Sequence, residues 1–326
     1  MQETFDIFGN PSSIHLEGRM AKKLIEDSRL VIHELLGIET GSVFFTSGAT
    51  EAAELVLRNK RCKSSKIEHP AVLRWTDSCL ELDCNFQIVT EAVENCTVQL
   101  ANSETGIVQN NLGAVYLTDA TQYYPKFDFE FEEILAKVAI ISPHKFGGPK
   151  GIGAILVKEN FDEFLIKNDD GQEGGFRPGT ENVLGIVGFA EAVKVAASQR
   201  SEGVWERIQM LHCHLEEEIK IKSPGTIIVG KDVKRLPNTS CIITPGWSGE
   251  KQVIAMDLAG YGVSFGSACS NAVSKPSEAI RALGFSKDLA HCAIRISLGP
   301  SSTEMQIEKF VEAWSRNLAV QSINAA

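Results

Sequence analysis

The sequence predicts an α/β fold, in which a large domain with a mainly parallel sheet precedes a smaller α+β domain. Through the first two thirds of the chain, short apolar runs alternate with helical patterns, which is typical of βαβ units. From about residue 202 onward, short strands and helices are mixed instead. The 326 residues are enough for two such parts. We predict a large domain over residues 10–201 and a small domain over residues 202–326 together with residues 1–9.

The individual elements follow from the spacing of the apolar residues. Helices are predicted at residues 17–36, 49–60, 182–200, 202–221, 276–283 and 303–318. Strands are predicted at GSVFFTSG (41–48), AVYLTDA (114–120), KVAIIS (137–142), GIGAILV (151–157), TSCIIT (239–244), GVSFGSA (262–268) and AIRISLG (293–299).

Composition narrows the classes of function. The formal net charge is -10, which argues against direct nucleic-acid binding, because that needs a basic surface. No run approaches the roughly 18 apolar residues of a membrane span, and MQETFDIFGN (1–10) lacks the features of a secretory signal. The eight cysteines are scattered without a CxxC pair, as is usual in a reducing compartment. We therefore expect a cytoplasmic protein without membrane contact.

No metal site is predicted. The run His212–Cys213–His214 contains three possible ligands, but it lies in a helical pattern. Adjacent residues of a helix point in different directions, so the three cannot converge on one ion.

Lys145 lies in a turn between two predicted strands, followed by Gly147, Gly148 and Pro149. A lysine at a strand end is normally a solvated charge. The glycines, however, allow the backbone to approach a ligand closely. This setting also suits a lysine that forms a Schiff base with a carbonyl group.

A possible phosphate site follows the first predicted strand. Residues 47–50, Ser-Gly-Ala-Thr, open a helix, and the free N–H groups of a helix start bind phosphate. A plain helix cap is the alternative.

Asp119 ends another strand, and ligands of open α/β sheets bind at the carboxyl ends of strands. Asp119 could therefore pair with a protonated ring nitrogen of a cofactor, and Gln122 lies three residues further on.

Two residues near the carboxyl end complete the predicted site. Cys269 lies in the small polar run GSACSN (266–271), which favours an exposed, reactive thiol over a buried one. Arg295 lies on an apolar strand, where a charged side chain needs a partner if it is buried. Its guanidinium is suited to hold a substrate carboxylate through two hydrogen bonds.

These segments together resemble the cysteine desulfurases, pyridoxal-phosphate (PLP) enzymes of the class V aminotransferase superfamily with fold type I. The matching strings occur in family order and are FGNPSSIH (8–15), FTSGATE (45–51), KIEHPAVL (66–73), TDATQ (118–122), SPHKFGGPKGIGA (142–154), GGFRPGTENVLGIVGFAEA (174–192), VSFGSACS (263–270), KPSEAIRALG (275–284) and IRISLG (294–299).

The resemblance implies removal of sulfur from L-cysteine, which releases L-alanine and leaves a persulfide on Cys269. It implies a large domain with a mainly parallel, seven-stranded-type sheet and PLP bound covalently to Lys145. It further implies a homodimer and a sulfur-acceptor protein of the iron–sulfur scaffold or tRNA-thiolation type. The implied PLP contacts are Ala49, Thr50, His69, Asp119, Gln122, Ser142, His144, Lys145 and, from a neighbouring subunit, Thr180. His69 would also serve in acid–base steps, and Arg295, Asn102 and Ser103 would contact the substrate.

The chain also departs from the family pattern. Ser103 stands where a second Asn is usual, Pro178 stands where Ser is usual, and the region between His69 and Asp119 is short. Two alternatives therefore stay open: a PLP lyase or transaminase that acts on another amino acid, and a trimmed relative with low activity. Cys269 favours desulfuration, because transamination needs no loop thiol.

Overall fold

The computed structural model describes residues 4–90, 95–110, 113–158, 171–266 and 276–325. Its helices are α1 (Leu16–Leu35), α2 (Ala49–Leu57), α3 (Pro70–Leu73), α4 (Val183–Ser201), α5 (Val204–Lys222), α6 (Gly249–Leu258), α7 (Glu278–Ala282), α8 (Lys287–His291) and α9 (Glu304–Ala325). Its strands are β1 (Ser42–Thr46), β2 (Cys62–Ser65), β3 (Thr76–Leu80), β4 (Thr97–Gln99), β5 (Val115–Asp119), β6 (Ala136–Ile141), β7 (Gly153–Val157), β8 (Ile227–Ile228), β9 (Thr239–Ile243) and β10 (Ala293–Ser297). Short 3-10 helices occupy Phe131–Glu133, Pro143–Lys145 and Gln172–Gly175.

The central sheet has five strands in the order β1-β7-β6-β5-β4. β4, β5 and β6 run parallel, whereas β7 is antiparallel to both β6 and β1. The strands β2 and β3 form a separate parallel pair. A single bridge between Lys63 and Cys96 joins this pair to the edge of the central sheet beside β4. The α/β class is therefore confirmed. The five-stranded central sheet is mixed, because it contains both parallel and antiparallel pairs.

The direction of the strands brings several chain segments to one edge of the sheet. β1, β5 and β6 all end at this edge, and β7 begins there. The residues that follow these strands are therefore neighbours in space, although they are far apart in sequence. Gly153 at the start of β7 permits the closest approach, because a Cβ there would lie 2.7 Å from the backbone of Gly48.

Both faces of the central sheet are covered. On one face, α1 and α4 pack against each other and against the sheet around Phe45, Phe189 and Ile141. On the other face, α2 packs against β6 and β7 through Val56 and Ile140. Burial on both faces explains why β5, β6 and β7 are nearly continuous apolar runs.

The C-terminal part has its own apolar core. A three-stranded antiparallel sheet in the order β10-β9-β8 packs with α5 and α9 around Trp314, Trp247 and Ile208. The predicted boundary near residue 202 stays a prediction. None of the helices in the described ranges is long and apolar enough to cross a membrane.

One predicted strand is wrong in its described part. GVSFGSA (262–268) contributes only a single bridge, between Ser264 and Arg295. Gly266 then adopts a positive φ of 59°, which turns the chain away from the extended conformation that a longer ladder needs.

Candidate active site

A cavity of about 430 Å³ opens at the edge where β1, β5 and β6 end. This volume lies within the range of small-molecule sites. Most of the predicted site residues line it, and they come from six separate segments of the chain. The lining residues from these predictions are Ala49, Thr50, His69, Ser103, Asp119, Gln122, Ser142, His144, Lys145 and Arg295.

Asp119 is the last residue of β5. One carboxylate oxygen accepts the backbone N–H of Thr121 at 2.9 Å, which fixes the carboxylate at the cavity wall. Gln122 follows in the same turn, and its backbone carbonyl accepts a hydrogen bond of 2.6 Å from the buried Lys126 ammonium. This segment therefore offers an anchored acid and an amide side chain to the cavity.

The start of α2 provides donors for an anion. The helix begins at Ala49, and the first N–H groups of a helix have no acceptor within it. The Ser47 N–H is already bound to the Glu51 carboxylate at 2.5 Å, and Arg177 Nε donates to the same carboxylate at 2.9 Å. Ala49 and Thr50 are left as the donors that face the cavity.

Lys145 ends a 3-10 helix that follows β6, and its side chain is exposed to the cavity. Ser142 is fully buried, and its Oγ lies 2.8 Å from His144 Nδ1. The same hydroxyl donates a hydrogen bond of 3.1 Å to the Ile152 carbonyl. Gly147 has a positive φ of 91°, a value that glycine adopts without strain. The predicted glycine-rich turn therefore presents the lysine amine at the strand end.

His69 caps α3. Its Nδ1 accepts the Ala71 N–H at 3.1 Å, so the ring has a fixed orientation at the cavity wall. Burial lowers the pKa of His69, the Asp119 carboxylate acts in the opposite direction, and the Lys145 charge lowers it further. An imidazole that is neutral near pH 7 can accept a proton or stack on a planar ring.

Arg295 reaches the cavity from β10. Nη1 donates to the Ser103 carbonyl at 2.7 Å, and Nη2 donates to the Ser264 hydroxyl at 3.1 Å. The guanidinium is thus held between the C-terminal sheet and the wall of the cavity. Its fork geometry suits a carboxylate.

Asn102 is predicted to contact the substrate, and this stays a prediction, although the structure does not place the residue in the cavity lining. The side chain is buried and lies outside the cavity lining. Its Nδ2 donates to the Ile67 carbonyl at 2.9 Å, and its Oδ1 accepts from the N–H groups of Glu104 and Thr105. Asn102 therefore stabilises the turn that presents Ser103. An amide that is hydrogen-bonded at both its nitrogen and its oxygen has little capacity left for a ligand.

Two further predicted residues are not among the lining residues that the structure describes. Thr180 is exposed and does not line the cavity, so its contact with a cofactor stays a prediction. Cys269 lies outside the described residues. The described chain resumes at Pro276, just before α7.

Comparison with known proteins identifies the family. The Aminotransferase class-V profile matches residues 1–108 and 79–310. A cysteine desulfurase of Cereibacter sphaeroides is 32% identical, with 94% of this chain and 87% of that protein aligned. Cysteine desulfurase IscS 1 of Archaeoglobus fulgidus is 31% identical over 94% of this chain and 88% of its own. The chain belongs to the cysteine desulfurase family.

Two solved structures share the fold of this chain. A NifS-like protein from Rickettsia africae superimposes with a TM-score of 0.86 at 28% identity, covering 98% of this chain and 94% of its own. SspA, solved in complex with cysteine, has a TM-score of 0.71 at 25% identity and covers 91% of this chain and 93% of its own. The predicted family and fold class are confirmed.

The cavity of this chain is also lined by residues that the sequence did not single out. Among them are Gln99, Glu104, Thr121 and Lys150. Glu104 lies next to Ser103, and burial raises the pKa of its carboxyl, whereas Ser277 and Arg295 act to lower it. Gln99 ends β4 beside Asp119 on β5, so the rule for strand ends that identified Asp119 could also have identified Gln99.

Proposed function

We propose that this protein takes sulfur from L-cysteine, releases L-alanine and retains the sulfur as a persulfide on Cys269, with PLP as its cofactor. The single observation that carries the proposal is the convergence of Lys145, Asp119 and Arg295 on one cavity. Lys145 offers an amine that can bond an aldehyde, and Asp119 offers a carboxylate that can pair with a ring nitrogen. Arg295 offers a guanidinium that can bind a substrate carboxylate.

The chemistry of the donors fits PLP. Ala49, Thr50 and Ser142 would hold the phosphate at the start of α2, Asp119 would face the ring nitrogen and His69 would lie against the ring. Lys145 would bond the aldehyde carbon. When bound, PLP supplies an electron sink for the breaking Cα–H and C–S bonds.

The protein residues carry out the remaining steps. Arg295 binds the cysteine carboxylate and orients the substrate. The Lys145 amine would take the Cα proton and return one as alanine forms, and His69 would carry the thiol proton that Cβ gains when the C–S bond breaks. The Cys269 thiolate attacks the substrate sulfur, so that an S–S bond forms as the C–S bond breaks. The products are alanine and a Cys269 persulfide, and no external oxidant is consumed.

The substrate proposal has independent support. Named relatives are cysteine desulfurases, and a structural neighbour at 25% identity has been solved with cysteine. A single-turnover experiment with the purified protein tests the proposal. Adding cysteine should change the visible absorbance of the bound cofactor and yield alanine. An absorbance change with another amino acid, and none with cysteine, would instead favour the transaminase alternative.

We further propose that the active form is a homodimer in which Thr180 serves the neighbouring site. Thr180 is exposed away from its own cavity, although Arg177 nearby in the chain contacts Glu51 beside the phosphate donors. Phe8 and Ile14 are 87% and 90% exposed, and a second copy of the chain would cover them.

Mixed dimers test this arrangement. Thr180→Ala and Lys145→Met subunits should each be impaired alone, because each homodimer lacks one group at both sites. After mixing and subunit exchange, one site per mixed dimer would combine an intact Lys145 with an intact Thr180 of the partner. Recovered alanine formation supports the shared site. No recovery, although exchange is verified by mass, argues that each chain uses its own Thr180. Transfer of the persulfide to an acceptor protein remains part of the proposed function.

A further inference from the structure

Glu68 is a buried acid next to the active site that the proposed reaction does not use. The residue is 3% exposed. Its Oε1 accepts the Gln99 backbone N–H at 2.7 Å, whereas Oε2 has no hydrogen-bond partner among the described residues. An ionised carboxylate with one oxygen buried and unpaired is strongly disfavoured. The geometry therefore favours the neutral acid.

The charges around Glu68 act in the same direction. Burial raises the pKa of its carboxyl well above the usual value, and the negative charge of Asp119 on β5 raises it further. Cys96, just before β4, is another titratable group near it; burial raises the pKa of that thiol to about 11, so the thiol adds no charge near pH 7. Two carboxyl groups in one poorly solvated region do not both ionise readily.

The same residue fixes the segment that leads to His69. The Gln99 backbone N–H donates to Glu68, and the Gln99 side chain donates to the Ile67 carbonyl at 2.8 Å. The Asn102 side chain donates to the same carbonyl at 2.9 Å. These bonds attach residues 67 and 68 to β4 and to the Asn102 turn. His69 follows directly and lines the cavity.

We propose that Glu68 is a positioning residue that works as an uncharged acid: it fixes the segment that carries His69, and it leaves the negative charge of this part of the site to Asp119. The inference rests on the proposed function, because it assigns a supporting role to a residue outside the cavity. The inference requires that the Glu68 carboxyl be protonated at neutral pH. It also requires a side chain long enough to accept the hydrogen bond from the Gln99 N–H.

Infrared difference spectroscopy tests the protonation. The full-length chain without cofactor is compared with Glu68→Gln at pH 7. The difference spectrum should contain the C=O stretch of a protonated carboxyl, which disappears in the variant. Glu51→Gln is the matched control, because Arg177 and Ser47 lower the pKa of Glu51, and it should remove carboxylate bands instead. Carboxylate bands for Glu68 would overturn the proposal.

An NMR titration of the His69 ring tests the positioning. The resonance is assigned by its loss in His69→Asn. Glu68→Gln keeps an acceptor of the same length and should leave the His69 titration unchanged, whereas Glu68→Asp is too short to reach Gln99 and should shift it. Equal shifts in both variants, or none in either, would overturn the positioning role. If Glu68→Asp fails to fold, Glu68→Ala, which also removes the acceptor of the Gln99 N–H, takes its place in the titration.

Both measurements use the chain without cofactor or cysteine. A protein that forms no alanine, which would contradict the proposed function, would therefore still reveal whether Glu68 is neutral and whether it fixes His69. Failure of the positioning role, in turn, leaves alanine formation as a separate result.

Discussion

A hydrogen bond of 2.7 Å joins Arg295 Nη1 to the backbone carbonyl of Ser103, although 192 residues separate them in the chain. It connects the C-terminal sheet to the wall of the cavity at the end of the central sheet. The guanidinium therefore reaches the cavity only when the two parts of the chain are packed together. Under the role proposed for Arg295, substrate binding is linked to the packing of the C-terminal part through this one side chain.

Replacing Arg295 by Lys should weaken cysteine binding. An ammonium keeps the charge but loses the planar fork, and a hydrogen bond to a charged group contributes about 1.5–3 kcal/mol. We expect KM for cysteine to rise roughly 10- to 100-fold, measured as alanine release against cysteine concentration. Arg281→Lys is the control, because Arg281 is exposed on α7 and pairs only with Glu278 there. Equal KM values in both variants would remove Arg295 from substrate binding.

Lys145→Met should abolish covalent attachment of the cofactor. The side chain that bonds the aldehyde is absent, while the phosphate donors and Asp119 are unchanged. After borohydride reduction of the protein with PLP, a peptide that contains residue 145 should carry a pyridoxyl group in the wild type and none in the variant. Lys150→Met, which removes another lysine of the same cavity, should retain the modification. A pyridoxyl group on Lys150 in the wild type would show that the wrong lysine was chosen.

Cys269→Ser should bind cofactor and cysteine but accumulate no persulfide. A serine hydroxyl is a far weaker nucleophile toward sulfur than a thiolate. Sulfide released after reduction would fall to background, whereas Cys84→Ser, which removes an exposed thiol elsewhere in the chain, should behave as the wild type. Unchanged sulfide release by Cys269→Ser would exclude this thiol from the reaction.

Glu216 should make the C-terminal part sensitive to acid. Burial would raise its pKa, but two hydrogen bonds from Arg235, at 2.6 and 2.8 Å, and the nearby His212 lower the pKa to about 2. Because the folded-state pKa is depressed, this stabilisation, on the order of 3 kcal/mol, is complete above the unfolded value and is lost as the pH falls toward 2.

Denaturant unfolding of the wild type and Glu216→Gln at several pH values measures this effect. The difference in unfolding free energy should be large at pH 7 and should shrink below about pH 4.5, as the carboxyl of the unfolded wild type becomes protonated. A difference that stays constant from pH 7 to pH 3 would show that the charge of Glu216 contributes nothing.

The strand ends of the site could be predicted because they follow continuous apolar runs. Asp119 is the last residue of β5, Lys145 lies in the turn that follows β6, and parallel strands end at a common edge. In contrast, β2 is the run CKSS (62–65), which has no apolar or β-branched stretch to mark it as a strand. Its place beside β4 depends on tertiary packing.

The orientation of polar side chains near the site was not predictable in the same way. Asn102 lies in the right turn, but its amide is bound to the Ile67 carbonyl 35 residues earlier, and no local pattern contains that contact. The burial of Glu68 has the same origin, since its partner Gln99 lies 31 residues away. Local sequence identifies which segments meet, whereas long-range contacts decide which way their side chains face.

Mass spectrometry of the peptide that contains residue 269 tests the central claim most directly. The PLP-loaded protein is mixed with a slight excess of cysteine, quenched and digested without reductant, and alanine is quantified in the same sample. We predict that this peptide gains the mass of one sulfur atom in proportion to the alanine formed. Alanine without added sulfur at residue 269, or added sulfur without alanine, would contradict the account.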